Sequence, residues 1–380
     1  MTKLYDRGAF EIASDVTYLN CAYMSPLLKE VREACEGGLE VRSRPWEIKS
    51  EKFIEDVERV RALFAQLING DSDGVALIPA VSYGMSLAAS NLSIKAGQKI
   101  LVMEGQFPSN YLIWRELAKT RSAEVEVVPF PKGHQWTNAF LERLDERTAI
   151  VALEPCHWTN GSLIDLKKVG DKARSLGAAF VIDASQAAGA LALDVKELQP
   201  DFLVTVGYKW LLGPFGLALL YAHPKRREGM PLEFNWMNRK GSEDFTKLCD
   251  YRTEYRDGAR RYDVGERSNF LLVPMLIAAL KKVLSWGVNN IQSSVGELTS
   301  LIAQEAIRHD IEPIPPGCHA SHLIGLQLKG RDVNAVAAKL AQEKIFVSAR
   351  GSSIRVAPHI YNNAQDVQRL FEVIGSMGNG

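Results

Sequence analysis

The chain has 380 residues and carries no net charge, because its 45 lysine and arginine residues equal its 45 aspartate and glutamate residues in number. A chain without net charge has no overall electrostatic attraction to nucleic acid or to a membrane surface, so neither is predicted as a partner. Apolar residues make up 46% of the sequence, enough to fill the cores of two domains. The cysteines lack paired spacings and the first residues lack the apolar core of a signal peptide, which predicts a cytoplasmic protein.

Short apolar runs alternate with helical patterns through the first two thirds of the chain. Strands are predicted near Val75, Ile100, Val125, Ile150, Phe180, Leu203 and Leu217. The alternation predicts an α/β fold, in which a large domain holds a mainly parallel seven-stranded sheet flanked by helices. A long helical region at 271–308 and a mixture of strands and helices after it predict a smaller C-terminal α+β domain. We place the large domain at 21–262 and the small domain at 1–20 and 263–380.

A lysine follows one of the predicted strands almost directly. In DFLVTVGYKWLLGP, the apolar run at 202–206 ends at Gly207, and Lys209 comes two residues later. Open parallel sheets bind ligands in the crevice at the carboxyl ends of their strands, which favours a functional lysine. A lone lysine after a strand is more often solvated or ion-paired, so its position alone does not decide between the two interpretations.

A carboxylate stands at the end of the preceding strand. In AAFVIDASQAAGA, the apolar run at 179–182 ends in Asp183. An aspartate there can be a helix cap or a turn residue. Together with Lys209 it indicates pyridoxal phosphate, because a lysine amine forms a Schiff base with the cofactor's aldehyde and a carboxylate stabilises its protonated ring nitrogen. Gln186, three residues further on, is predicted to hydrogen-bond the ring hydroxyl.

The segments VIDASQAAGA and DFLVTVGYKWLLGP resemble the class V aminotransferases of the fold-type I pyridoxal-phosphate enzymes. This family includes cysteine desulfurases, kynureninases and isopenicillin-N-epimerase-like proteins, and the resemblance covers nearly the whole chain. It implies the fold-type I transferase fold, pyridoxal 5′-phosphate as cofactor, a small-molecule amino-acid substrate and a homodimer.

A phosphate site is predicted in VALIPAVSYGMSLAASNL, which has the pattern of a strand, a short turn and a helix. The backbone amides at the helix start and the Ser82 hydroxyl suit a phosphate dianion, although a serine-capped helix has the same pattern. The resemblance assigns Val81 and Ser82 to the phosphate and Tyr208 to the same group. It also implies that Phe107, in EGQFPSNYLIW, stacks on the pyridine ring.

An amino-acid carboxylate pairs best with a guanidinium group, because the two planar groups form two parallel hydrogen bonds. In SARGSSIRVAPHIYNN the resemblance assigns this role to Arg355, with Arg350 as a supporting or alternative residue. It also places Asn20, in TYLNCAYMSP, at the substrate site.

The chain departs from the family at several positions. Only GSSI separates Arg350 from Arg355, where desulfurases carry a loop with a nucleophilic cysteine, so a persulfide-forming desulfurase is disfavoured. Trp158 stands where relatives often place an asparagine near the cofactor hydroxyl. Its neighbour His157 is either an acid/base residue or a structural one, and Cys21 is close enough in sequence to Asn20 to approach the site. No metal site is predicted.

The leading functional prediction is an aminotransferase. The alternatives are a pyridoxal-phosphate-dependent lyase or hydrolase of the C–S lyase or kynureninase type, and a non-catalytic pyridoxal-phosphate-binding protein. The reaction depends on which substrate bond is held perpendicular to the ring, and sequence does not specify that orientation. A nucleotide-binding Rossmann protein ranks last, because no G-x-G-x-x-G follows the first strand.

Overall fold

The computed structural model describes residues 4–377, so the ends of the predicted small domain at 1–3 and 378–380 lie outside the described residues. Its α-helices are α1 (Lys29–Ser43), α2 (Lys52–Leu67), α3 (Val81–Asn91), α4 (Leu112–Arg121), α5 (Trp136–Arg143), α6 (Leu166–Ser175), α7 (Val195–Leu198), α8 (Leu272–Trp286), α9 (Val288–Arg308), α10 (Val333–Gln342) and α11 (Ala364–Ser376). Its strands are β1 (Thr17–Tyr18), β2 (Val75–Ile78), β3 (Lys99–Met103), β4 (Glu124–Val128), β5 (Thr148–Leu153), β6 (Ala179–Asp183), β7 (Phe202–Val206), β8 (Ala218–Ala222), β9 (Glu312–Pro313), β10 (Ile324–Gln327), β11 (Ile345–Phe346), β12 (Ser348–Arg350) and β13 (Ser353–Val356).

The seven predicted strands form one sheet in the order β2-β8-β7-β6-β5-β3-β4. All neighbours in it are parallel except β8, which is antiparallel to both β7 and β2. Strands β2, β3, β6, β7 and β8 are buried at every residue, as expected for a sheet covered on both faces. The predicted α/β fold with a mainly parallel seven-stranded sheet is confirmed.

Side chains of one strand pack into two separate apolar cores, because successive residues point to opposite faces of the sheet. On β7, Leu203 packs into one apolar cluster and Val204 into the other. Helices α1, α2 and α8 cover the first face, and α3 and α4 lie on the second. The sheet is therefore held rigidly, and side chains at the ends of its strands have fixed positions.

The helical region predicted at 271–308 is two helices, because the chain breaks at Gly287, whose φ of 78° favours glycine. Pro274 does not interrupt α8, since it falls in the first turn, where its missing N–H is not needed. Among residues 4–377 no single helix is long and apolar enough to cross a membrane; α8 and α9 reach that length and composition only as a pair bent by 74°.

The C-terminal part contains a four-stranded antiparallel sheet in the order β12-β13-β10-β9, packed with α10 and α11 around a third apolar cluster. The segment IFVSAR contains two short strands, β11 and β12, and β1 from the N-terminal segment pairs in parallel with β11. The domain limits at 21 and 263 stay a prediction. Helix α8, beyond the second limit, packs against α1 and α2 of the large body.

Candidate active site

Parallel strands bring several polar side chains to one edge of the large sheet. The residues that line a cavity there are Val81, Phe107, Glu154, Trp158, Asp183, Ser185, Gln186, Val206, Tyr208 and Lys209. Six of them were predicted as cofactor-site residues: Val81, Phe107, Asp183, Gln186, Tyr208 and Lys209. The fold thus gathers residues that lie up to 128 positions apart in the sequence, from Val81 to Lys209.

Lys209 lies three residues beyond β7, in a turn that brings the chain back towards the sheet. The turn is tight at Gly207, where a Cβ would lie 2.8 Å from the Leu217 carbonyl oxygen. Lys209 is 8% exposed, and no carboxylate among residues 4–377 lies within ion-pairing distance of its Nζ. Burial lowers the pKa of Lys209 to about 8, against the opposing charge of Asp183. A lysine buried without an ion-pair partner is costly to the fold, which favours a chemical role.

Asp183 is the last residue of β6 and is 2% exposed. The pairing of Asp183 with Val204 places it beside β7, on the strand next to the one that leads to Lys209. Its Oδ1 accepts a hydrogen bond from the Ser185 amide at 3.0 Å. Burial raises the pKa of the Asp183 carboxyl, so a cation bound beside it would favour the ionised form.

A second carboxyl group, Glu154, lies in the same cavity and was missed by the sequence analysis. It follows β5 directly and is 2% exposed. Its Oε1 accepts a hydrogen bond from the Phe107 amide at 2.8 Å, whereas its Oε2 is buried without a hydrogen-bond partner in the described part of the chain. Burial, and then the charge of Asp183, raise the pKa of Glu154 to about 8. Glu154 is therefore mainly protonated at neutral pH and holds the loop that carries Phe107.

The N-terminus of α3 opens at the same edge. Its N-cap residue is Ala80, which provides no side-chain hydrogen bond, and no acidic residue occupies the first turn. Ser82 is the second residue of the helix and is exposed. It is therefore not the N-cap residue, and the alternative of a serine-capped helix is wrong. Amides without a capping side chain at a helix start are suited to an anion.

Trp158 joins the cavity to the predicted substrate-binding residues. Its indole meets the Phe107 ring edge-on at 5.4 Å between centroids, and its Nε1 donates to the Gly105 carbonyl at 2.7 Å. The Trp158 carbonyl accepts a hydrogen bond from Arg355 Nη1 at 2.9 Å, and the Arg350 guanidinium lies over the indole at 5.4 Å. Arg355 is 1% exposed, and burial lowers its pKa to about 9.

Two predicted residues have their side chains bonded within the protein. The Gln186 Oε1 accepts from Trp210 Nε1 at 2.9 Å, and its Nε2 donates to the Ala22 carbonyl at 3.0 Å. The Asn20 Oδ1 accepts from Ser348 Oγ at 2.8 Å. Gln186 lines the cavity and Asn20 is not among the lining residues. Their contacts to cofactor and substrate stay predictions.

His157 is engaged on both ring nitrogens. Nε2 donates to the Glu104 carbonyl at 2.9 Å, which leaves Nδ1 to accept from the Thr159 hydroxyl at 2.7 Å. The ring also stacks on Trp136 at 5.6 Å. These contacts support the structural interpretation of His157. Cys21 is fully buried, and burial raises the pKa of its thiol to about 12, so it is not a nucleophile at neutral pH.

The mainly parallel sheet, with a buried lysine beyond one strand and a buried carboxylate at the end of the next, defines an α/β protein with a candidate ligand site at the carboxyl edge of its sheet. The sequence model of the aminotransferase class-V family matches residues 29–370, and the chain belongs to that family. The family recognised from the two motifs is thereby confirmed, and the cofactor predicted with it, pyridoxal phosphate, is the cofactor of this family.

The chain is similar to individual proteins at low identity. It is 26% identical to an uncharacterized aminotransferase, YcbU, of Bacillus subtilis over 85% of this chain and 84% of that protein. A lysine-to-alanine variant of C-DES with glycine covalently linked to its PLP cofactor superposes with a TM-score of 0.89 at 17% identity, covering 98% of this chain and 100% of that one. A complex of the cystine C–S lyase C-DES with cysteine persulfide superposes with a TM-score of 0.86 at 19% identity, covering 94% and 97%. At these identities the superpositions establish the fold.

Proposed function

We propose that this protein is a pyridoxal-phosphate-dependent enzyme that acts on an amino acid or a related amine. The observation that carries the proposal is Lys209, a buried lysine without an ion-pair partner among residues 4–377, which stands beside Asp183 at the carboxyl edge of the sheet. Its Nζ lies 5.5 Å from the centre of the Phe107 ring and 5.9 Å from that of Tyr208.

The residues at this edge fit a phosphorylated pyridine aldehyde. The uncapped start of α3 and the exposed Ser82 suit the phosphate dianion. The Phe107 ring, fixed through its amide by Glu154, offers an apolar surface to the pyridine. Asp183 would hold the ring nitrogen and Lys209 the aldehyde carbon. When bound, the cofactor supplies an electron sink for a carbanion at the substrate α-carbon.

Lys209 performs the proton transfers in this proposal. With a pKa of about 8, a substantial fraction of its amine is neutral near pH 7 and able to act as nucleophile and base. Lys209 would hold the cofactor aldehyde, and its Nζ, when free, would be the base that takes a proton from the substrate α-carbon and returns it. Arg355 binds the substrate carboxylate, and Trp158 and Phe107 exclude water from the face that they cover.

Transamination is the reaction that we favour. Among the described residues that line this cavity, Lys209 is the one with a basic amine, and transfer of a proton between two carbons requires one group that both accepts and returns it. The β12–β13 hairpin turn consists of Gly351 and Ser352 and carries no thiol, which argues against a desulfurase mechanism that depends on a cysteine there. Cys21 and Cys156 are fully buried.

A C–S lyase is the second candidate. It is supported by the full-length likeness to C-DES, a cystine C–S lyase by its title, and by the absence of a hairpin thiol noted above. Elimination uses the same base at the α-carbon and differs only in the bond that breaks next.

We also propose a homodimer in the cytoplasm. Large apolar side chains are exposed close to the candidate phosphate site, where Phe215 is 67% exposed and contacts Tyr208 at 4.7 Å. Phe234 and Tyr251 are exposed at 70% and 87%. Exposed apolar groups of this size favour association between subunits. All five cysteines are free thiols, in keeping with a reducing compartment.

The test is the visible absorption spectrum of the purified protein, recorded first alone and then with a panel of amino acids and no keto-acid acceptor. A visible cofactor band that disappears when an amino acid is added supports transamination. A band that persists while keto acid and ammonia accumulate supports the lyase, and a band without any turnover supports a non-catalytic protein. A colourless protein that takes up no added pyridoxal phosphate refutes the proposal.

The matched variants are Lys209→Ala and Lys167→Ala. Lys209→Ala should abolish turnover while the protein still binds the cofactor noncovalently. Lys167 is an exposed lysine paired with Asp171 on α6, and its removal should leave the spectrum and turnover unchanged. Substantial turnover in Lys209→Ala would remove this lysine from the mechanism.

A further inference from the structure

Two arginines lie side by side on the β12–β13 hairpin. In the strand register Ser348 is opposite Arg355, and Arg350 is two residues beyond Ser348. Residues two apart on a strand share a face, and so do directly opposite residues, so Arg350 and Arg355 project from the same face as diagonal neighbours. The short turn at Gly351 and Ser352 fixes this arrangement.

Neither guanidinium has an acidic partner in the part of the chain that the structure describes. Within residues 4–377 the ion pairs that the structure contains include neither Arg350 nor Arg355. Arg355 has its Nε and Nη2 buried without a hydrogen-bond partner, and Arg350 has its Nε in the same condition. Buried cations are normally paired, and an unpaired donor costs the full desolvation of that group. The site is therefore built for anions that a ligand brings.

The two arginines and Lys209 act on one another electrostatically. The charge of Arg350 lowers the pKa of both Arg355 and Lys209, although burial is the larger cause in each case. Lys209 is thus within electrostatic range of both arginines and of the carboxyls of Asp183 and Glu154. One substrate carboxylate on Arg355 leaves the charge of Arg350 without a counterpart.

Arg350 also borders a second cavity. This cavity, of about 440 Å³, lies between the large body and the C-terminal sheet and is lined by Arg350 together with Thr159, Gln327, Ser353 and other residues. It adjoins the Lys209 cavity, because Arg350 covers the indole of Trp158, which lines that cavity. Glu312 also lines the second cavity, where its carboxylate is paired with Lys329 at 2.6 Å. The second cavity is large enough to receive the side chain of a substrate whose α-carbon is held near Lys209.

We infer that the substrate is an amino acid with a second anionic group, such as a dicarboxylic amino acid, and that Arg350 binds this group while Arg355 binds the α-carboxylate. The inference rests on the proposed function for the placement of the α-carbon, but the anion site itself is independent of the chemistry. Arg350 is accordingly the residue that determines specificity between a charged and a neutral side chain.

The experiment compares two ligands of equal size that differ in one charge. Glutarate carries two carboxylates, whereas glutaramate has one of them replaced by a neutral amide. Each is titrated calorimetrically into the purified cofactor-containing protein, as wild type, as Arg350→Gln and as Arg308→Gln. The last variant removes an equal charge from an exposed arginine, 69% accessible at its side chain, on α9.

The wild type and Arg308→Gln should bind glutarate about 10- to 100-fold more tightly than glutaramate, because hydrogen bonds between charged groups contribute that much. In Arg350→Gln the two affinities should agree within about twofold, with the glutaramate affinity retained as proof that the site is folded. Equal affinities in the wild type would overturn the inference, as would an unchanged glutarate preference in Arg350→Gln.

If Arg350→Gln does not fold, the wild-type comparison still tests the preference for a second anionic group. Failure of the proposed function is read separately, from the visible spectrum. A colourless protein that prefers glutarate would refute the proposed cofactor and support the anion site. A cofactor-containing protein that binds the two ligands equally would support the cofactor and refute the anion site.

Discussion

The low pKa of Lys209 predicts how fast the protein without cofactor takes up pyridoxal phosphate at different pH values. Only the neutral amine attacks an aldehyde, so the uptake rate follows the neutral fraction of Lys209. Burial lowers this pKa from 10.5 to about 8. At pH 7 the neutral fraction is then roughly one tenth, against roughly one part in 3000 for an ordinary lysine, a difference of about 300-fold.

The assay is stopped-flow absorbance of cofactor uptake between pH 7 and 10. The observed rate should rise with pH and level off above about 8, with Lys209→Ala giving no covalent band. Asp183→Asn is a control for which the direction of the pKa change can be predicted. The charge of Asp183 raises the pKa of Lys209, so its removal should move the midpoint to lower pH.

A midpoint near 10.5 would refute the reasoning, because it would mean that Lys209 is solvated or paired in solution. A midpoint that moves to higher pH in Asp183→Asn would contradict the assignment of these two residues to one site.

Three further outcomes are expected. Arg355→Lys should weaken substrate binding far more than cofactor binding, because lysine cannot form the two parallel hydrogen bonds of a guanidinium; equal weakening in binding assays of both would contradict the carboxylate role. Glu154→Gln keeps an acceptor for the Phe107 amide and removes a carboxyl whose pKa rises on folding from 4.5 to about 8. Since the folded wild type holds that proton more tightly than the unfolded chain, its stability relative to the variant should fall by about 3–4 kcal/mol as pH rises from 5 to 8. Urea unfolding measures this difference, and no difference in pH dependence would show that Glu154 is not buried. Gly161→Ala should destabilise by ~1–3 kcal/mol or more in the same assay, because Gly161 has a φ of 83° and its added Cβ would meet the Leu323 carbonyl oxygen at 2.1 Å; an unchanged midpoint would mean that this contact relaxes freely.

The sheet was predictable because its strands are short apolar runs that must be covered on both faces. Each of the seven predicted strand positions falls within a strand of the structure or, for Leu217, one residue before it. The break between α8 and α9 was not predicted. Gly287 lies within the predicted helical region, and the 74° bend of the chain shows why a glycine stands there.

The strand ends identified Lys209 and Asp183, because the carboxyl edge of a parallel sheet collects whatever follows each strand. Glu154 follows β5 in the same way and had the same signal. The rule that located Asp183, applied to every strand, would have found it.

The proximity of Arg350 and Arg355 was hidden from the sequence for a different reason. Five positions apart in one segment, they would point to opposite faces of a single strand, since side chains alternate. Only the two-residue turn between them, which makes Ser348 face Arg355, places both on one side. A pairing set by a turn is a three-dimensional property that no periodicity in the sequence reports.

These arginines share one physical property with Lys209 and Glu154. Glu154, Arg350 and Arg355 each have a buried atom without a hydrogen-bond partner in the described chain, and Lys209 has no ion-pair partner there, whereas the buried Arg61 pairs with Asp263. Burial without a partner destabilises a protein unless a ligand supplies the missing charge or hydrogen bond. At neutral pH, Glu154 is mainly protonated, so Lys209, Arg350 and Arg355 outweigh the carboxylate of Asp183. The excess positive charge requires anions, and an α-carboxylate, a second acidic group and a cofactor phosphate at α3 are anions of the number and placement that this edge of the sheet is able to bind.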